Sequence, residues 1–246
     1  MEQVVRDMVG RSITEYYPGR TNEPGEIVLE VKNFCQEGLF NNISFKLRKG
    51  EILGVAGLMG AGRTEIMRAL FGVDSCKHGE VYLHGKKVCI KKPEDAIKAG
   101  IGFITENRKS EGLILDFSIS RNIALPSVDT FAKRSVINAK NETAFSEALS
   151  KKLGVKTASI DLEAGALSGG NQQKVVIAKW IGMNPSIIIM DEPTRGIDVG
   201  AKRDIYDLMN ELTSQGVAII MVSSELPEVI GMSDRILVIH EGKIAG

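Results

Sequence analysis

The chain has 246 residues, 43% of them hydrophobic and 25% charged, which is enough to bury a full core as one large or two small domains. Its 31 basic and 31 acidic side chains cancel, so no global charge draws it to nucleic acid or to an anionic lipid surface. Cys35, Cys76 and Cys89 are odd in number and form no CxxC pair, which argues against a disulfide frame or a zinc site, and the longest apolar runs, Ile187 to Met190 and Val217 to Val222, are too short to span a bilayer.

In chain order, residues 1–25 carry Pro18-Gly19 and Pro24-Gly25 with little periodicity and read as a linker from something that precedes them. Ile27 to Val31 and Ile43 to Leu47 alternate apolar and polar residues, as half-buried antiparallel strands do. Val81 to Leu83 and Val88 to Ile90 are expected beside them, with His84-Gly85 in the turn. Ile52 to Ala56 is an unbroken apolar run suited to a central parallel strand. It feeds Gly57-Leu58-Met59-Gly60-Ala61-Gly62-Arg63-Thr64, and a helix is predicted to follow through Glu65, Ile66, Ala69 and Leu70. Pro93 to Ala99 is predicted as a short helix stopped by Gly100, ahead of a strand over Ile101 to Thr105.

Residues 106–165 change character: a charged loop from Glu106 to Glu111 precedes Phe145, Ala148, Leu149 and Leu153 at the spacing of an amphipathic helix. The pattern then resumes with a helix opened by Ser168, a strand over Ile187 to Met190 and a helix marked by Ile205, Leu208, Met209 and Leu212. A strand over Val217 to Val222 and a terminal strand over Ile236 to His240 complete it. Strands alternating with helices predict an α/β fold with a mostly parallel sheet covered on both faces. The chain stops at Gly246 just after the turn Glu241-Gly242-Lys243, as a piece of a longer product would.

Three segments carry chemistry. A strand running into G-x-x-x-x-G-[KR]-T and then a helix is the setting of a phosphate-binding P-loop, whose amides cradle phosphates and whose hydroxyl reaches magnesium. Gly57, Gly60, Ala61, Gly62, Arg63, Thr64 and Glu65 form it here. Arg63 stands where such loops have lysine, and a planar fork fits poorly among phosphate oxygens. Glu65 suits the helix dipole but competes with an anionic ligand. The second segment is the apolar strand ending in Asp191 and Glu192; in a P-loop protein the first acid at such a strand end holds Mg²⁺ and the next carboxylate can orient the attacking water. In the third, Leu167 to Lys174, Ser168 is placed as an N-cap, and Gly169 and Gly170 leave backbone amides open to an anion. An ordinary glycine turn and a strand ending in solvated acids are the plain alternatives to the first two.

Together these residues resemble an ABC-transporter nucleotide-binding domain over nearly everything from Ile27 to Gly246. Gly57 to Thr64 is similar to its Walker A, Ile187 to Glu192 to its Walker B with the catalytic Glu, Leu167 to Gln172 to its signature, and the stretch around Asp198 to its D-loop. The resemblance implies a P-loop NTPase (RecA-like) core over residues 26–105 and 166–246 with an antiparallel β subdomain. It also implies a helical subdomain over 106–165. It implies ATP and Mg²⁺ as cofactors, bound by the loop residues together with Glu106, Ser168, Gly169, Gly170, Gln172 and Asp198. Thr64, Asp191 and Glu106 are then the metal neighbours, and Glu192 and Ser224 the catalytic pair.

Several departures narrow the resemblance. Glu106 replaces the family's Q-loop glutamine, Ser224 replaces the switch histidine, and only Phe34 and Phe40 offer themselves for stacking on adenine. With Glu106-Asn107-Arg108-Lys109, Asn171-Gln172-Gln173-Lys174, Met8-Val9-Gly10-Arg11 and Tyr17-Pro18, the chain is similar to the second cassette of the duplicated ATPase subunit of bacterial ribose, galactose and xylose type importers. That resemblance implies a head-to-tail dimer with another cassette, transmembrane permease subunits, indirectly a periplasmic sugar-binding protein, and a peripheral place on the cytoplasmic face of the inner membrane. Nucleic acid is not an expected partner. The signature would serve the partner's ATP while this chain's own loop hydrolyses weakly. A non-catalytic nucleotide-sensing cassette and a soluble ABC ATPase outside transport are the competing readings, and a GTPase is disfavoured by the absence of N-K-x-D. Arg108 and Lys109 are expected to face the membrane partner or else solvent, and His78, His84 and His240 to lie on the surface away from every motif.

Overall fold

The computed structural model describes residues 17–19, 23–133 and 136–246. Two sheets organise it. The larger is built on three runs of β-branched and apolar residues, β3 (Ile52–Ala56), β9 (Ile187–Asp191) and β10 (Ala218–Val222), in which every residue is buried. Such runs can only be central strands covered on both faces. With β6 (Ile101–Ile104), β11 (Arg235–His240) and β12 (Lys243–Ile244) they stand in the order β12-β11-β3-β10-β9-β6, all parallel except the β11–β12 pair. The smaller sheet is antiparallel, in the order β2-β1-β4-β5, from β1 (Ile27–Gln36), β2 (Phe40–Arg48), β4 (His78–Leu83) and β5 (Lys86–Val88).

Register in the large sheet decides where the chemistry sits. Val222 lies opposite Val55 on one side and Asp191 on the other, so β3, β9 and β10 end level. The loops that leave them, beginning at Gly57, Glu192 and Ser223, are therefore neighbours at the carboxyl edge, the usual place for a ligand in an open α/β sheet. Helix α1 (Arg63–Phe71) follows the first loop, α7 (Val199–Ser214) the second and α8 (Leu226–Met232) the third. Phe71 of α1 meets the rings of Phe103 of β6 and Trp180 at 5.3 and 5.5 Å between centroids, the latter edge-on, which joins α1 and β6 to the helix that carries Trp180 through one aromatic cluster.

Between the short α2 (Pro93–Lys98) and α6 (Gly169–Ile181) the chain is mostly helical, with α3 (Ile119–Ala124), α4 (Val128–Phe131) and α5 (Ala139–Lys152), plus a two-stranded ribbon β7 (Ala132–Lys133) and β8 (Val136–Ile137). Asn138 caps α5, accepting from the Asn141 amide at 3.3 Å. The buried face of α5 carries Ser146 and Ser150, with Phe145 and Leu149 half-buried, whereas Ala148 points outward. Two small serines let α5 close on α3, where the Ser146 hydroxyl donates to the Ser120 carbonyl at 3.0 Å.

Four sequence expectations need correction. The charged loop from Glu106 is wound into a π-helical turn, Arg108–Gly112. The strand over Arg235–His240 is not terminal, because the turn at Glu241-Gly242, both at positive φ, returns the chain as β12. The strand expected over Val88 to Ile90 lies earlier, at Lys86–Val88. Phe34 and Phe40 are 4% and 3% exposed and stack on each other at 5.5 Å, so neither face is open to a base. Of the expected linker 1–25, residues 1–16 and 20–22 lie outside the described residues. Tyr17 packs its ring 5.3 Å from that of Tyr206, and the Asn210 amide donates to the Pro18 carbonyl at 3.2 Å.

Helix α8 crosses β3 at Gly54, where an added Cβ would collide with the Ser233 hydroxyl and lie 2.7 Å from Val229 Cγ1. Gly54→Ala is therefore expected to destabilise the fold by about 1–3 kcal/mol in urea unfolding through overpacking. Unchanged stability would show that α8 has room to shift.

Candidate nucleotide-binding site

The loop from β3 to α1 is shaped by glycines that take a conformation other residues resist: Gly60 has φ 76° and Gly62 has φ 99°. Gly62 also lies where a Cβ would meet Gly242 Cα at 3.3 Å and the Leu39 carbonyl at 3.4 Å. Helix α1 starts without a side-chain cap, which leaves its first amides to be satisfied by an anion. Leu58 and Met59 stand out at the rim of the loop, 76% and 92% exposed.

Arg63 does not project into the loop. It is 8% exposed, and its guanidinium reaches across to the edge of β10, donating to the Ser223 carbonyl at 2.5 Å while a second nitrogen stands 3.7 Å from Glu192 Oε1. Glu192 holds a positive φ of 49°, a strained backbone for a glutamate and one typical of functional turns. Its other oxygen accepts from the Ser224 hydroxyl at 3.1 Å. Burial raises the Glu192 pKa, and Ser224 and Arg63 work against that rise. The two residues expected to be catalytic are thus in contact, with Arg63 locked beside them.

Asp191 is wholly buried, and neither carboxylate oxygen has a hydrogen-bond partner among the described residues. Desolvation pushes its pKa up to about 6 from an ordinary 3.8, and Glu192 and Glu65 push the same way. The nearby Thr64 hydroxyl and Arg63 oppose the shift without satisfying the carboxylate. An orphaned carboxylate beside a hydroxyl, both hard oxygen donors, fits a magnesium ion.

Glu228, which sequence reasoning missed, anchors the neighbouring loops. It is 1% exposed, accepts from the Thr194 hydroxyl at 2.7 Å and from the Ser223 hydroxyl, and so ties the turn after Glu192 to the segment that carries Ser224. Its only sequence signal is an acidic residue one turn into a helix, which reads as a dipole partner. His240 was expected to be remote. It lines a cavity of about 570 Å³ with Gly57, Leu58, Ser223 and Ser224.

At the signature, Ser168 occupies the N-cap position of α6 but does not cap it; its hydroxyl accepts from the side-chain amide of Asn171 at 3.0 Å. Gly170 packs on α7, where a Cβ would lie 2.9 Å from that of Ala201, and Gly169 lies under the Arg108 guanidinium, 2.8 Å from where a Cβ would stand. Ser168, Gly170, Asn171, Lys174 and Asp198 line a cavity of about 440 Å³. Three expected ligands are engaged within the chain. Gln172 is 3% exposed with its amide toward the Ala164 carbonyl at 3.4 Å, and Asp198 caps α7, accepting from the Ala201 amide at 2.9 Å. Glu106 pairs with Arg195. Arg108 is half-buried and donates to the Arg195 and Gly196 carbonyls at 2.8 and 3.1 Å, while Lys109 is exposed. Among the described residues no helix is long and apolar enough to cross a membrane.

Comparison with known proteins gives the family and the fold. The chain is 62% identical over 245 residues to the ribose import ATP-binding protein RbsA of Bacillus subtilis, covering 100% of this chain and 50% of that protein. It is 61% identical over 244 residues to RbsA of Bacillus licheniformis, covering 99% of this chain and 50% of that protein. The chain therefore spans about half the length of these curated relatives. Among solved structures, the ADP conformation of MJ1267, an ATP-binding cassette of an ABC transporter, superposes with a TM-score of 0.76 at 22% identity over 90% of both chains. The dimeric bacterial ABC transporter cassette MJ0796 gives 0.75 at 22% identity over 89% of this chain and 97% of that one. At such identities these two establish the fold. The sequence pattern of the ABC transporter family matches residues 40–195, which hold the phosphate loop, both acids and the signature, and the chain belongs to that family as an ATP-binding domain.

Proposed function

We propose that this chain is the second, C-terminal cassette of the ATP-binding subunit of a bacterial monosaccharide importer of the ribose type, with a signature that serves a partner cassette and a phosphate loop that turns over slowly. The similarity to RbsA proteins, each about twice as long, supports a two-cassette subunit. The observation that carries the asymmetry is the placement of Arg63: the cation at the lysine position is spent on the Ser223 carbonyl and on Glu192. It is therefore withdrawn from the β- and γ-phosphates, and it holds the Glu192 carboxylate as an ion-pair partner instead of a free base.

In this reading residues 26–105 and 166–246 form the ATP-binding core, residues 106–165 the helical subdomain and residues 1–25 the link to the first cassette. Gly57, Gly60, Ala61, Gly62 and Thr64 bind the phosphates through loop amides, with Glu65 weakening the local field. Thr64 and Asp191 would hold magnesium, which supplies positive charge to the phosphate oxygens; Glu106 joins them only when its ion pair with Arg195 opens. Ser168, Gly169 and Gly170 face the partner's γ-phosphate, with Gln172 and Asp198 supporting that surface from behind. Ser224 holds the Glu192 carboxylate but, lacking an imidazole, cannot exchange a proton near neutrality. Permease subunits and a periplasmic sugar-binding protein complete the machine, with this chain peripheral on the cytoplasmic side. A purely nucleotide-sensing cassette differs in one respect: it gains nothing from a restored loop.

The double variant Arg63→Lys, Ser224→His is expected to raise ATP turnover of this chain by about tenfold or more, within the range of one electrostatic group in a phosphate site. A wild-type chain that already matches the double variant would sink the asymmetric reading, and a variant that binds ATP without faster turnover would favour the sensing cassette.

Asp191 yields a pH test. Its folded pKa, about 6, exceeds the ordinary 3.8, so the folded chain holds the proton more tightly than the unfolded one and stability declines as pH rises between those values. The full penalty, roughly 3 kcal/mol at 1.36 kcal/mol per unit, is present above about pH 6. Without magnesium, Asp191→Asn should exceed wild type in melting temperature at pH 8, with the gap closing toward pH 4. Added magnesium and ATP should stabilise wild type more than the variant. Equal melting at pH 8 would show that the Asp191 charge is already compensated in the chain.

A further inference from the structure

We infer that Arg108 is a positioning residue that fastens the turn Arg195-Gly196 to the first residue of the signature helix, so that both segments move as one body. The two segments are far apart in sequence from Arg108 and from each other, and the guanidinium is where they meet. One nitrogen donates to the Arg195 carbonyl at 2.8 Å and another to the Gly196 carbonyl at 3.1 Å. The same group lies against Gly169, where a Cβ would stand 2.8 Å from Arg108 Nη2 and 3.3 Å from the Gly196 carbonyl. Gly196 has φ 67°, the left-handed conformation that turns its carbonyl toward the guanidinium. The planar fork meets the two carbonyls with two separate nitrogens held in fixed geometry, whereas an ammonium would have to bring one nitrogen within reach of both.

A clamp needs a rigid base, and the π-helical turn Arg108–Gly112 is one. Asn107 accepts from the Ser110 amide, and the Leu113 amide donates to the Arg108 carbonyl at 2.8 Å. Lys179 of α6 donates to the Gly112 carbonyl at 2.9 Å from a buried position, and Gly112 approaches α6 so closely that a Cβ would lie 3.2 Å from Val176 Cγ2. The turn is thus pinned to the body of the signature helix, and Arg108 reaches from it over Gly169 to the turn after Glu192. The Arg195–Glu106 ion pair crosses the same pocket, but with side chains 60% and 38% exposed it contributes little by itself. Gly169 then has a reason to be glycine beyond phosphate approach: it makes room for the clamp. That the fastened surface acts on a partner's nucleotide rests on the proposed function; the clamp does not.

Amide hydrogen exchange on this chain tests the clamp. Two charge-assisted hydrogen bonds are lost in Arg108→Ala, so exchange across residues 193–198 and 168–172 should accelerate at least tenfold, while amides of β3 and β9 keep their protection. Arg108→Lys should restore little of it, and Gly169→Ala, by displacing the guanidinium, should reproduce the acceleration at 193–198. Unchanged exchange there, equal acceleration in β3 and β9, or full rescue by lysine would each overturn the inference. In the full-length protein that carries this cassette, Arg108→Ala should lower kcat for ATP several-fold with KM little changed. Faster exchange with unaltered kcat would leave the clamp standing and count against the partner-nucleotide reading.

Discussion

The contact of Arg63 with the Ser223 carbonyl and Glu192 is the constraint on which the site's behaviour turns. In the proposed reading a lysine at the start of α1 would face bound phosphate, lacking the planar fork and the reach to cross to the neighbouring loops. Arginine has both, and the carboxyl edge of the sheet offers it a carbonyl at the end of β10 and a carboxylate at the end of β9. The guanidinium folds into that corner and is buried there. In the proposed reading, what would have been a phosphate clamp is an internal brace between three loops.

That brace sits in a neighbourhood rich in desolvated acids. Asp191 is buried with no donor to either oxygen among the described residues, Glu192 has its pKa raised by burial, and Glu228 is buried but fully engaged by two hydroxyls. The difference between Asp191 and Glu228 is instructive: both are inaccessible, yet only one is provided with hydrogen-bond donors. A buried carboxylate left unsatisfied is a standing cost to the fold, and its proximity to Thr64 makes a divalent cation its natural complement. Glu228 performs the structural task of holding the loops so that Asp191 can remain poised.

Glycines in this chain answer to two demands at once. Those of the phosphate loop are required by positive φ, as at Gly60 and Gly62, while those of the signature are required by close approach of other side chains, Arg108 over Gly169 and Ala201 against Gly170. The signature surface is therefore defined from behind as much as from the front. In the proposed reading a chain with a compromised loop of its own still presents an intact surface to a partner: one network is centred on Arg63 and another on Arg108, and they meet at the turn that runs from Glu192 to Gly196.

The amino-acid sequence determined the parallel core, because unbroken apolar runs such as Ile52 to Ala56 and Ile187 to Met190 have no other stable environment, and it determined the loop and the two acids, because glycine spacing and strand-end carboxylates are local signals. It also placed Pro93 and Gly100 at the two ends of a short helix, since both act through their own backbone. What only the tertiary structure decided is where long polar side chains go. Gln172 turned inward, Asp198 became a cap, Glu106 found Arg195 and Arg108 found two carbonyls nearly ninety residues away. Such side chains reach several ångströms in many directions, and their partners are set by the register of strands and the approach of helices, which no local pattern encodes.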